Sequence, residues 1–177
     1  VSEPTPSGPI AEALQAADDL IAGLEAWQAM CGVAEGDRGT AEGKAAAAAH
    51  IHWPEVEVAG LSEAARRALR PICCLALAGG GGAERQAHPN TWRDRLAIWA
   101  KFWVLADSEQ TTRTGQYIAF ANAMGAVEAE LRAASGIAAL NVARLERMTA
   151  PQRPHPADVA KGVLDELTIE YELTVEG

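Results

Sequence analysis

From Leu164 to Glu176 apolar and polar residues alternate almost without a break. Leu167, Ile169, Tyr171, Leu173 and Val175 fall in one set, and Thr168, Glu170, Glu172, Thr174 and Glu176 in the other. Successive side chains of a strand point to opposite sides of its sheet, so a period of two predicts a β-strand with one apolar face. Such a strand belongs in a sheet whose apolar side is covered by another layer. Its acidic, threonine-rich side is expected to meet water or a partner.

Other segments supply the rest of that sheet. Between Thr91 and Leu105, Leu96, Ile98, Phe102 and Val104 alternate with Arg95, Ala97, Trp99, Lys101 and Trp103, which predicts one long strand. Ile72 to Ala78 is a continuous apolar run of strand length, closed in front by Pro71 and broken by Gly79 to Gly82, and reads as buried on both faces. Leu140 to Met148 is a further strand candidate. His50 to Pro54 is expected to be extended, because Pro54 pushes Trp53 out of the α region.

The covering layer is expected to be helical. Pro9 suits a first helical turn, and Ile10, Leu14, Ala17, Ile21, Leu24 and Trp27 recur at three- and four-residue spacing until Gly32 ends the helix. Ala41 to Ala49 reads as a short alanine-rich helix, and Leu61 to Leu69 as a helical turn or two. A second long helix is predicted from Thr112 to Ser135, with Tyr117, Phe120, Ala121, Met124, Val127 and Leu131 as its buried stripe and Gly136 as its stop. The order of elements lacks regular β–α–β alternation. The expected class is therefore α+β, a mixed or antiparallel sheet packed against two long helices. Residues 1–9 (VSEPTPSGP) read as a flexible arm and residues 10–177 as a single domain.

Composition narrows the function. At 177 residues the chain can bury about 70% of its extended surface, so no metal or disulfide staple is required. A formal charge of −9, from 24 acidic and 15 basic residues, disfavours sequence-specific nucleic-acid binding and docking on anionic lipid. It leaves open an acidic lining along which DNA slides. Cys31, Cys73 and Cys74 cannot all pair with one another, and they read as inert thiols in a reducing compartment. The opening residues lack the basic and apolar regions of a signal peptide, and no stretch approaches the ~20 apolar residues of a membrane span. A soluble, intracellular protein is expected.

Few residue sets in the chain could carry chemistry. His50 and His52 share a strand face at a spacing that can ligate a metal, but His88 and His155 fall in loops and Glu55 lies beyond a proline, so no third ligand joins them. Ala78 to Arg85 (AGGGGAER) follows a strand, as a phosphate cradle would. It lacks the GK[ST] ending and a following helix, and reads as a loop between strands. Neither Cys73 nor Cys74 has a flanking histidine, and no serine sits in a nucleophile elbow. No catalytic residue, cofactor or metal is expected. Trp99 and Trp103 are left with two readings, packing under a helix or forming a protein interface, and Trp92 falls on the opposite strand face. The acidic face of the last strand divides the same way, between a solvated surface and an edge that adds to a neighbour's sheet. The candidate interface residues are Trp99, Trp103, Glu170, Glu172 and Glu176.

The layout as a whole resembles the tail-terminator (tail-completion or neck) proteins of long-tailed bacteriophages and phage-like particles. An N-terminal helix and an alanine-rich segment lead to HIHWPEVEV, then RPICCLALAGG, the long strand WRDRLAIWAKFWVLADSE and the helix TRTGQYIAFANAMGAVEAELRAASG. The strand LNVARLERMTAPQRP and the closing KGVLDELTIEYELTVEG complete it. The resemblance implies an α+β subunit of a hexameric ring in the virion. That ring caps the tail tube, meets a head–tail connector or stopper protein, and lets DNA pass through its lumen after assembly in the host cytoplasm. It also implies that the loops at 79–90 and 149–162 touch adjacent rings or the lumen. The family has no catalytic residues to carry over. The alternatives are a head–tail connector or other minor tail protein or, in a different class, a small bacterial ligand-binding or enzyme domain with a Trp-lined pocket.

Overall fold

The computed structural model describes residues 5–7, 9–52, 62–77, 86–88, 91–93, 95–105, 112–134, 142–147 and 166–176. Its helices are α1 (Pro9–Gly23), α2 (Glu25–Met30), α3 (Ala41–Ala48), α4 (Glu63–Ala68) and α5 (Arg113–Ala134). Its strands are β1 (Ile51–His52), β2 (Ile72–Leu77), β3 (Gln86–His88), β4 (Thr91–Arg93), β5 (Arg95–Leu105), β6 (Val142–Arg147) and β7 (Glu166–Glu176). The main sheet has five strands in the order β1-β2-β5-β7-β6. The β1–β2 pair is parallel and the remaining neighbours are antiparallel, so the α+β class and the mixed sheet stand as expected.

Three expectations need correction. Among the described helices only α5, at 22 residues, is long, because the first helical stretch divides into pieces of 15 and 6 residues. Leu24 adopts φ −70° and ψ 123°, an extended conformation that interrupts the ladder, yet Ile21, Leu24 and Trp27 all stay buried. The apolar spacing therefore crosses the break, which hides it from a periodicity argument. Thr91–Arg93 does not continue β5; it pairs with Gln86–His88 in a separate two-stranded ladder, which also moves His88 from a loop into a strand. Finally, β7 is not an edge strand. It pairs with β5 over eleven residue pairs and with β6 on its other side.

Local chemistry explains most boundaries. After Met30 the chain closes in a Schellman arrangement: Gly32 takes φ 82°, its N–H donates to Ala29 O at 3.1 Å, and Val33 N–H donates to Gln28 O at 3.0 Å. Thr40 caps α3 and Thr112 caps α5, each hydroxyl accepting a backbone N–H three residues on, at 3.2 and 3.0 Å. Gln28 is fully buried, with both ends of its amide engaged. Its Nε2 donates to Ala22 O, and its Oε1 accepts from Gly39 N–H, each at 2.8 Å. It ties α1 to the loop leading into α3, where Gly43 approaches the Asp37 carbonyl so closely that an added Cβ would collide with it.

One face of the sheet packs against α1, α2 and α5. Cys73, Leu75, Ile98, Ala100, Phe102, Leu167, Ile169, Tyr171 and Leu173 from the strands join Ala17, Ile21, Trp27, Phe120, Met124, Val127 and Leu131 from the helices in one core. Three rings bind its layers edge to face: Trp27 to Phe102 at 5.2 Å and Phe102 to Tyr171 at 5.9 Å between centroids. The α5 stripe agrees with expectation at Phe120, Met124, Val127 and Leu131 but not at Tyr117 and Ala121, which are exposed.

Candidate functional site

The alternation that buries Ile98, Ala100 and Phe102 sends Trp99, Lys101 and Trp103 to the sheet face turned away from the helices. Register then sets their neighbours. Trp99 stands opposite Glu172, Lys101 opposite Glu170 and Trp103 opposite Thr168. Trp99 Nε1 donates to Glu172 Oε2 at 3.1 Å, and Lys101 Nζ lies 3.4 Å from Glu170 Oε1. Two of the residues singled out from the sequence, Trp99 and Glu172, thus form one unit, and Glu170 is held by a lysine whose role the sequence alone did not reveal.

The two tryptophans differ in environment. Trp99 is 38% exposed, whereas Trp103 is 9% exposed. Trp103 packs with Ile72, Cys74 and Leu69, the residue that follows α4, in a small cluster on this outer face. Two cations approach its ring: the Arg70 guanidinium carbon at 5.3 Å and Lys101 Nζ at 5.2 Å from the centroid. Cation–ring contacts of this kind contribute about 0.5–1 kcal/mol at exposed sites and more where water is excluded. Trp103 Nε1 is buried with no hydrogen-bond partner. Glu176 pairs in register with Arg95 at the far end of β7. The geometry thus sets Trp99 and Glu172 at the surface, Glu170 beside them and Trp103 beneath.

His50, His52, Cys73 and Cys74 lie at the β1–β2 side of the sheet, next to Trp103. His50 precedes β1, and its Nδ1–H donates to Leu69 O at 3.0 Å and Pro71 O at 2.8 Å, fastening β1 to the turn before β2. His52 stands in register with Cys74 across the β1–β2 pair, a neighbour that linear sequence conceals. Cys73 and Cys74 are buried and Cys31 is half-buried, and none is in a disulfide. Burial pushes the Cys31 thiol up to about 12. Burial also raises Cys73 well above its ordinary range, with added contributions from Cys74, Asp18 and Cys31. These two thiols stay protonated at neutral pH, the state in which sulfur is a poor nucleophile. Among the described residues no group of three or more His, Cys, Asp or Glu could hold a metal ion. His155, Glu55, Trp53 and the stretch from Ala78 to Arg85 lie outside the described residues, as does the loop at 149–162. No described helix is long and apolar enough to cross a membrane.

What this outer face can do is present a rigid surface. Trp99 and Lys101 are each held by a cross-strand carboxylate, so a partner meeting them has less side-chain freedom to quench. The sequence places these residues on one face but not opposite one another, because β5 and β7 are separated by α5 and β6 in the chain. No protein-family model matches the chain, and no curated protein matches it.

Proposed function

We propose that this protein is a structural subunit of a phage neck, a ring-forming tail terminator that caps the tail tube and joins it to the head-proximal connector or stopper. The observation that carries the reading is the open part of the outer sheet face. Helices pack on the inner face, while beyond the buried Trp103 cluster the outer face bears an exposed Trp99 locked to Glu172 beside the Lys101–Glu170 pair. Tryptophan is enriched where proteins meet, and pre-ordered side chains lower the entropic cost of meeting. The order of helices and strands, on which the resemblance to tail terminators rests, supports the same reading.

The function requires assembly, so assembly is the test. Negative-stain images of the purified protein, alone and mixed with tail tubes, should contain hexameric rings, free or seated on tube ends. Light scattering at high concentration should report the same particle. A strict monomer that also leaves tail tubes unbound would overturn the reading.

A further inference from the structure

A ring of more than two identical subunits needs two different complementary patches on each, because a head-to-tail contact never brings a patch against itself. Resting on the ring reading above, we infer that the outward face of α5 is one of these patches, and that it receives the outer sheet face of a second copy with Trp99 as the projecting side chain.

The α5 face is unusual for a surface helix. Between Arg113 and Glu128 the helix has no charged residue. Its inward side is used up in the core by Phe120, Met124 and Val127. Its outward side carries Tyr117, Ile118, Ala121, Asn122 and Gly125, all exposed, with Ala129 continuing the row. Ile118 is 55% exposed and Tyr117 37%. Surface helices ordinarily alternate such positions with charged side chains.

Three observations select a second copy as the occupant, and its sheet face as the surface that docks. The first is charge. Copies of a chain at −9 repel one another, so they approach at least cost where one side offers no carboxylate. The α5 face offers none over its first four turns. On the sheet face the Lys101–Glu170 pair answers its own charge, and Glu172 is engaged by the Trp99 indole. The second is shape. The helix face is shallow along Ala121, Gly125 and Ala129, and a Cβ added at Gly125 would meet nothing within 4 Å, whereas the sheet face carries the large ring of Trp99. A bulky ring on one side and a low, uncharged track on the other are complementary in form. The third is placement. Helix α5 covers the inner face of the sheet and Trp99 stands on the outer face, so the two patches lie on opposite sides of the subunit. Two patches on different sides let copies join head to tail, the type of contact from which rings are built.

Gly125→Glu and Trp99→Ala, each in the full chain, test the assignment. Gly125→Glu sets a carboxylate toward Glu170 and Glu172 of the neighbour, and each change should weaken association by about tenfold or more. Because glutamate is the better helix former, Gly125→Glu should leave the thermal midpoint of the monomer unchanged or raised, which separates lost contact from lost fold. Mixed together, the two variants should form pairs, since each supplies the half that the other lacks. Rings of Gly125→Glu indistinguishable from wild type would overturn the inference and leave the ring reading standing. Two weakened variants that fail to pair on mixing would overturn the head-to-tail assignment. A wild-type chain that never associates, even on tail tubes, would overturn both.

Discussion

Leu24 ends α1 in an extended conformation and, having an aliphatic side chain, cannot cap the helix that starts after it. Both carboxylate oxygens of Glu130, far along the chain in α5, instead accept from Ala26 N–H at 3.1 and 3.2 Å. A carboxylate there satisfies a donor that α2 leaves open and also suits the positive end of the helix. Glu130→Ala should therefore destabilise the fold by about 1 kcal/mol, the size of an ordinary capping loss, with Glu130→Gln recovering part of it. Urea denaturation reads this directly, and an unchanged midpoint for Glu130→Ala would show that α2 needs no such cap. Residues of this kind are not legible in sequence. Thr40, Thr112 and Gly32 act within their own turn, where local pattern suffices, whereas Glu130 acts on a helix 104 residues away.

Among the elements, β7 is the one whose character and place divide most sharply between what is local and what is not. Its alternation is legible because burial at Leu167, Ile169, Tyr171 and Leu173 is written in every second residue. Its place between β5 and β6 is not, because strand order depends on pairings between distant segments. The interior position strengthens what the alternation implies. Burying each apolar side chain contributes roughly 1.5–3 kcal/mol, and together these rival the ~5–15 kcal/mol net stability of a domain. Ile169→Asp and Leu173→Asp should each abolish soluble folding, since either places an unpaired carboxylate in the core. Glu170→Lys and Glu172→Lys should stay folded by circular dichroism, with a loss of no more than about 1 kcal/mol, as half-exposed ion pairs and cross-strand contacts contribute little. In a phage lacking the gene, the lysine variants should instead lower particle assembly. A folded Ile169→Asp, or an unfolded Glu172→Lys, would contradict the assignment of buried and outer faces.

For the whole molecule, the sign of the salt response follows from how its charges are arranged. Lys101 is matched to Glu170, and Arg132 to Glu128, each within one subunit, so these charges need no partner across a contact between the α5 face and the sheet face. What remains between copies is the repulsion of their net charge of −9. Raising salt from ~0.01 M to ~1 M shortens the Debye length from about 30 Å to about 3 Å, which screens repulsion between charges spread over the subunit surface. Self-association should therefore tighten as salt rises, the reverse of an interface built on ion pairs between subunits. Sedimentation equilibrium across that range measures it, with the dissociation constant expected to fall steadily. In the Gly125→Glu variant the dependence should be steeper, because the added carboxylate faces others across the contact and screening relieves more repulsion. A dissociation constant that climbs with salt would mean that the subunits join through opposite charges, and would move the contact away from the uncharged face of α5.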